Sequence, residues 1–414
     1  MVTGATMAQR GPVYADRVSE SPAGSWQVEP AAVGQSAISG PPNAGDQPST
    51  QRGSLGQDAR KLTIYFGERT QCTSGGFAAD RLLGLFGKRE VATSILLRGI
   101  EGFGIRHHLR TDQSLTLSED PPLVAVAVDT AARIEALLDE VNAIGLRGLI
   151  TLERARLVRG GGGPLPADAD SAQAVKLTVY VGRQERTYRV PTFVAVCDLM
   201  HRRGLSGASV FLGVDGTAHG SRQRAHFFDG NDDVPLMIIA VGDGDRIGAM
   251  IPELGALLQR PLFTVETVRV CKRDGVLLER PRELPSTDSS GLAMWQKIMV
   301  FTSESTLHRG QPIHRSLVRR LRSAGVARGA TAIRGIWGFH GDHLPHGDRL
   351  LQVHRSVPVG TIIIDEPDRI AQNFGVIDEI TAEHGLVTSE MVPALLSAQP
   401  GRRHGGLRLA ARPN

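Results

Sequence analysis

The chain has 414 residues, 41% hydrophobic and 22% charged, a composition that excludes a wholly disordered protein and leaves room for two to four domains. Forty-seven basic residues against 43 acidic ones give a net charge of +4, a mild excess gathered in part at the C-terminal end. No run of 18 apolar residues occurs and the N-terminal stretch lacks the charged-then-apolar profile of a secretory signal, so a cytoplasmic location is expected.

Residues 1–58 are rich in Gly, Pro, Ser, Gln and Ala without a sustained apolar period. Such a segment buries too little surface to offset its ordering entropy, and it reads as disordered. The first folded signal is Lys61-Leu-Thr-Ile-Tyr-Phe-Gly67, a strand. A helix over 76–87 follows, with Phe77, Leu82, Leu83 and Phe86 on one face. Strands over 92–98 and 123–128, a helix over 131–141 and a strand over 149–153 complete a β-α-β-β-α-β order.

The same outline returns twice. Lys176-Leu-Thr-Val-Tyr-Val-Gly182 and Lys297-Ile-Met-Val-Phe-Thr-Ser303 open further units. Gly99, Gly213 and Gly335 follow the three lysines at a near-constant distance, and Thr151, Thr264 and Thr388 close the units in the same register. Three landmarks kept in register mark an internal repeat of about a hundred residues, the size of a small domain. The chain thus divides into a disordered segment 1–58, unit one at 59–160, a linker at 161–174, unit two at 175–272, a linker at 273–294, unit three at 295–396 and a basic disordered tail at 397–414. The α+β fold expected for each unit is a ferredoxin-like sandwich. The runs Leu123–Val128, Leu236–Val241 and Thr361–Ile364 are apolar on both parities. Both sheet faces then need cover, and three tandem ferredoxin-like βαββαβ units arranged as an intramolecular pseudo-trimer would supply it.

Arg98-Gly-Ile-Glu-Gly-Phe-Gly104, Leu117-Ser-Glu-Asp-Pro-Pro-Leu-Val124 and Arg334-Gly-Ile-Trp-Gly-Phe-His-Gly341 resemble the PII-like family labelled domain of unknown function 190. The second unit matches in outline only, with Leu212-Gly-Val-Asp-Gly216 in the motif's place. The resemblance implies a signalling protein that holds a small ligand, typically a nucleotide, in clefts between units and reports it through long loops to a protein partner, a membrane transporter or channel among them. On that reading Arg98, Gly99, Gly102, Gly104 and Arg106, with Arg334, Gly335, Gly338 and Gly341, form the ligand-binding set, the arginines pairing with anionic groups and the glycines exposing amides. The loops after Ile100, Val214 and Ile336 are expected to be long and to carry the signal. A ligand-independent scaffold of the same shape is the alternative.

Other motifs stay bland. His340, His343 and His346, with Asp342 and Asp348, fit no established metal spacing and read as an exposed polar loop, so no metal site is expected. The three cysteines, Cys72, Cys197 and Cys271, form no CxxC pair and read as reduced, mostly buried thiols. No catalytic set recurs across the units, which predicts a non-enzymatic protein without cofactor. The third strands lack the stacking aromatics of an RNA-recognition motif, so neither a nucleic-acid partner nor membrane insertion is expected, and the chain should be a monomer.

Overall fold

A computed structural model describes residues 56–111, 120–159, 174–218, 221–224, 234–341, 345–347, 357–399 and 401–413. In the first repeat, β1 (Gln57–Gly67), α1 (Ala78–Lys88), β2 (Thr93–Phe103), β3 (Arg110–Thr111), β4 (Pro122–Thr130), α2 (Ala131–Ala143) and β5 (Gly148–Arg159) follow in order. The second holds β6 (Ala174–Gly182), β7 (Arg186–Thr187), β8 (Val190–Pro191), α3 (Thr192–Arg202), β9 (Gly207–Leu212), β10 (Asp215–Ala218), β11 (Ser221–Arg224), β12 (Pro235–Asp243), α4 (Gly244–Leu257), β13 (Leu262–Arg273) and β14 (Val276–Leu277). The third holds β15 (Trp295–Ser303), β16 (Leu307–His308), β17 (Gln311–Pro312), α5 (Ile313–Ala324), β18 (Ala330–Arg334), β19 (Trp337–His340), β20 (His346–Gly347), β21 (Pro358–Asp365), α6 (Pro367–Ile380), β22 (Leu386–Val392), β23 (Ala394–Gln399) and β24 (Arg402–Gly406).

Local chemistry explains the elements. In α1 the residues Ala78, Leu82, Leu83 and Phe86 recur at helical spacing and are all buried. At the start of α4 the Asp243 carboxylate accepts from the N–H groups of Asp245 and Arg246, satisfying donors that a helix end leaves open. α6 begins on Pro367, where a missing N–H costs nothing.

The expectation of three ferredoxin-like βαββαβ units arranged as an intramolecular pseudo-trimer is overturned by the strand pairing. Strands of all three repeats join one 20-stranded sheet. Around it, β1 pairs with β4, β4 with β2, β2 with β18, β18 with β21, β21 with β15, β15 with β22, β22 with β13, β13 with β5, and β5 with β1 again, closing an antiparallel barrel of nine strands. The physical reason lies in β2, which does not stop where its pairing within its own repeat ends. Residues 93–98 pair with β4, and the strand then continues as 99–103 against β18. β10 likewise pairs with β2, and β19 with β9. Boundaries drawn at turn signals could not anticipate strands shared between repeats.

The core follows from this. Val124, Val126 and Val128 of β4 and Met237, Ile239 and Val241 of β12 enter one inner cluster with Ile362 and Ile364 of β21, fed by all three repeats. The alternate residues Leu123, Ala125 and Ala127 pack on the first repeat's helices, and Leu236, Ile238 and Ala240 on the second's. Strands apolar on both parities are thereby buried on both faces, each large side chain contributing roughly 1.5–3 kcal/mol.

Two further expectations change. The tail expected as disordered at 397–414 is folded in its described residues 397–399 and 401–413: β24 returns along β23, the Ala410 N–H donates to the Pro393 carbonyl, and Arg154 donates to Ala410 O. Its basic composition hid the fact that β23 continues onto β5 of the first repeat. The segment 273–294 is likewise folded, with Asp288 accepting from the N–H groups of Ser290, Leu292 and Ala411. Those donors, led by Ala411, hold the Asp288 carboxyl at about 2. The expected linker at 161–174 and segment 1–58 lie almost wholly outside the described residues, as do His343, Asp342 and Asp348. All three cysteines are free and buried, and among the described residues no helix is long and apolar enough to cross a membrane.

Candidate ligand cleft and a buried ring of charge

Where the first repeat meets the third, a cavity of about 620 Å³ opens, inside the range of small-molecule sites. The end of β1 supplies Tyr65 and Phe66, the end of β2 Gly102 and Phe103, and the start of β5 Leu149; Trp295, Ile362 and Ile364 come from the third repeat. The β23–β24 hairpin adds Leu395, Gln399 and His404 as a further wall. Five arginines reach this space: Arg69, Arg106, Arg110, Arg147 and Arg328. Arg110 is paired with Asp120 at 3.0 Å. Arg328 pairs with Glu366 at 2.7 Å and lies 5.8 Å from the centroid of the Trp295 ring. Arg106 and Arg147 are exposed and have no ion-pair partner among the described residues. The cavity thus joins an apolar, partly aromatic floor to two arginines that no described residue neutralises.

Beneath Arg328, Asp365 is buried; its carboxylate accepts from the N–H groups of Arg328 and Glu366 at 2.8 and 2.9 Å. Burial dominates there and pushes its pKa up. Glu366 also feels burial, but Arg328 and Arg369 outweigh it and hold this carboxyl below its ordinary value.

The expected site residues divide. Gly102, Gly104 and Arg106 line this cavity, and Gly338 lines a smaller one between the second and third repeats. Arg98 and Arg334 line neither: Arg98 pairs with Glu68 at 3.0 Å and Arg334 with Glu304 at 2.6 Å, within their own repeats. Gly99, Gly102, Gly335 and Gly338 serve strand crossing. A Cβ on Gly102 would sit 2.7 Å from Ala330 O, and one on Gly335 2.7 Å from Val210 O. The Gly335 N–H donates to Pro358 O, so this amide is spent on the sheet. Gly213 and Gly216 meet Ile95 and Ser94 in the same way, so the second repeat keeps the motif's structural half. Gly104 has nothing within 4 Å of a built Cβ, and Gly341 sits at φ +60. The stretches expected as loops after Ile100, Val214 and Ile336 carry strand in their described parts, the rest of β2 with β3, β10 with β11, and β19 with β20, while 112–119, 225–233, 342–344 and 348–356 lie outside the described residues.

Sequence reasoning missed a constellation at the centre. Lys61, Lys176 and Lys297, which open the three repeats, are all buried, as are Glu153, Glu266 and Glu390, each two residues beyond the threonine that closes its repeat. Lys61 lies 3.1 Å from Glu153 and also contacts Glu266. Lys176 lies 3.5 Å from Glu266 and 2.6 Å from Glu390. Lys297 lies 3.0 Å from Glu390 and 2.5 Å from Glu153. The six charges alternate in a closed ring, each lysine joining the glutamate of its own repeat to that of another. Burial alone would raise Glu153, yet Lys297, Lys61 and Lys176 prevail and hold it well below the usual carboxylate range. Glu390 is lowered for the same reason against the same burial. Three glutamates this close are suited to a cation, but three ammonium groups already neutralise them. The recurrence of a lysine and a glutamate at equivalent positions was the available signal.

The site thus lies in a closed barrel assembled from three copies of one motif, with a cation-lined cavity at a junction between copies. The chain belongs to the family DUF190, described as "Uncharacterized ACR", whose model matches residues 59–157, 174–270 and 295–394. It is similar to "UPF0166 protein" of Aquifex aeolicus (strain VF5), at 33% identity over 99 residues, which make up 24% of this chain and 90% of that protein. No solved structure matches.

Proposed function

We propose that the protein is a non-enzymatic, PII-like regulatory protein of the cytoplasm that binds a small anionic ligand of the nucleotide class between its first and third repeats and passes the bound state to a protein partner. The observation that carries this reading is the combination in one cavity of Arg106 and Arg147, free of ion pairs among the described residues, with the buried Trp295 floor. A planar apolar group fits the floor and a phosphate or carboxylate fits the arginines. Gln399 and His404 of the C-terminal hairpin stand at the wall, where a ligand would alter the hairpin's contacts. Calorimetric titration with adenine nucleotides tests the reading: binding is expected, and Arg147→Ala weakens it about tenfold or more. Absence of heat with every nucleotide, and of any change in Trp295 emission, removes it.

The second reading is a ligand-independent scaffold. The internal neutralisation of Arg98 and Arg334 favours it. Partner capture that ignores nucleotides and survives Arg147→Ala would establish it in place of the first.

A further inference from the structure

The smaller cleft is related to the larger one residue by residue, and its chemistry changes where a ligand would be decided. In register, Arg147, Arg328, Asp365 and Trp295 are matched by His384, Ser206, Gly242 and Ala174, and Gly104 by His340. The cavity is about 130 Å³. That is room for several waters or one tetrahedral ion, and it falls below the size of ordinary cofactor sites. Hydroxyl side chains crowd it: Ser206, Ser209, Thr302, Ser303 and Thr306. Arg273, the last residue of β13, reaches the same space, and its Nε is buried without a hydrogen-bond partner among the described residues. An unpaired guanidinium donor away from water is costly and calls for an acceptor. The neighbouring carboxylate does not reach it, and Asp274 Oδ1 meets His340 Nε2 instead, at 2.5 Å.

We propose that this second cleft is a site for a single small oxyanion of the phosphate or sulfate class, held by the Arg273 guanidinium and the surrounding hydroxyls. A charge-assisted bond to guanidinium supplies the affinity, and hydroxyls, which donate without bringing charge, complete the tetrahedral shell. The site stands independently of what the larger cleft binds.

The test is titration of the full chain with inorganic phosphate, read by calorimetry, with phenyl phosphate as a bulkier arm. Phosphate is expected to bind, Arg273→Gln to weaken it about tenfold or more, and phenyl phosphate not to bind through Arg273. Should Arg273→Gln not fold, His384→Ala at the cleft's mouth is read in its place and is expected to weaken phosphate measurably. Overturning results are an absence of phosphate binding, an affinity unmoved by the substitution, an affinity lost with Arg147→Ala instead, or equal binding of phenyl phosphate, which would make the ligand an ester and the cleft larger than described.

Discussion

Replacing Lys176 by methionine removes one of three ammonium groups from the central ring and leaves three carboxylates facing two cations. Lys176 is 1% exposed and lies 2.6 Å from Glu390 and 3.5 Å from Glu266, so water cannot take its place. Breaking a buried pair from one side costs about 3–5 kcal/mol, a large part of a typical folding stability of about 5–15 kcal/mol. In urea, with a slope of about 3 kcal/mol per molar, the midpoint should fall by about 1–1.7 M. The pH dependence has a definite sign. In the native chain Glu153 and Glu390 have folded values below the ordinary 4.5, so their contribution is present above that value and lost as pH falls beneath it. In the variant an unneutralised glutamate is pushed upward, the folded state takes up a proton more readily, and the deficit against the native chain should narrow as pH is lowered from 7 toward 5. Adding Glu390→Met restores two charges of each sign and should recover most of the loss, because an apolar pair of similar volume replaces a buried ion pair at little cost. A loss under about 1 kcal/mol for Lys176→Met, the scale of an exposed pair, would refute the reasoning, since it would mean that the carboxylates are hydrated.

The crossing glycines offer a second check: Gly102→Val should lower the melting temperature strongly because its Cβ would sit 2.7 Å from a backbone oxygen of another repeat, while Gly104→Ala, with nothing within 4 Å, should leave it nearly unchanged by calorimetric scan. Arg98→Ala should leave nucleotide titration as it is and cost at most about 1 kcal/mol, since the Arg98–Glu68 pair is about half exposed. Truncation after Gln399 removes β24 and His404 from Trp295, whose ring the imidazole meets at 5.4 Å, and should shift Trp295 emission to longer wavelength. Cys271, whose thiol burial pushes up to about 12, should resist alkylation at pH 8 until the chain unfolds, as followed by mass spectrometry.

Much of the element order could be read from local pattern. α1 and α2 lie where apolar spacing puts them, at 78–88 and 131–143, and the two-sided apolar runs of β4 and β12 correctly demanded cover on both faces. What local pattern could not show is which strand each edge meets. β2 looks complete at Arg98, and only the space emptied by Gly99 and Gly102 lets it continue onto β18. The glycine motif was therefore read as a ligand loop when half of it is a joint in the sheet. The ring escaped notice for another reason: a lysine opening a strand reads as a solvated edge, and the three glutamates become partners of the three lysines only once the barrel closes. At the candidate cleft, Gly102, Gly104 and Arg106 could be found from the motif, whereas Arg147 and Trp295 hold register positions that the repeats do not keep, His384 standing for Arg147 in the third and Ala174 for Trp295 in the second.

The junction of the third repeat with the first is closed by hydrogen bonds from β18 to β2 and from β23 to β5, with no peptide bond across it. Nothing in the cyclic pairing sets that seam apart from the junctions with the second repeat. A gene rearranged to start at the second or third copy, with a short tether spanning the old ends, should fold to the same closed body, its lysines and glutamates meeting as before.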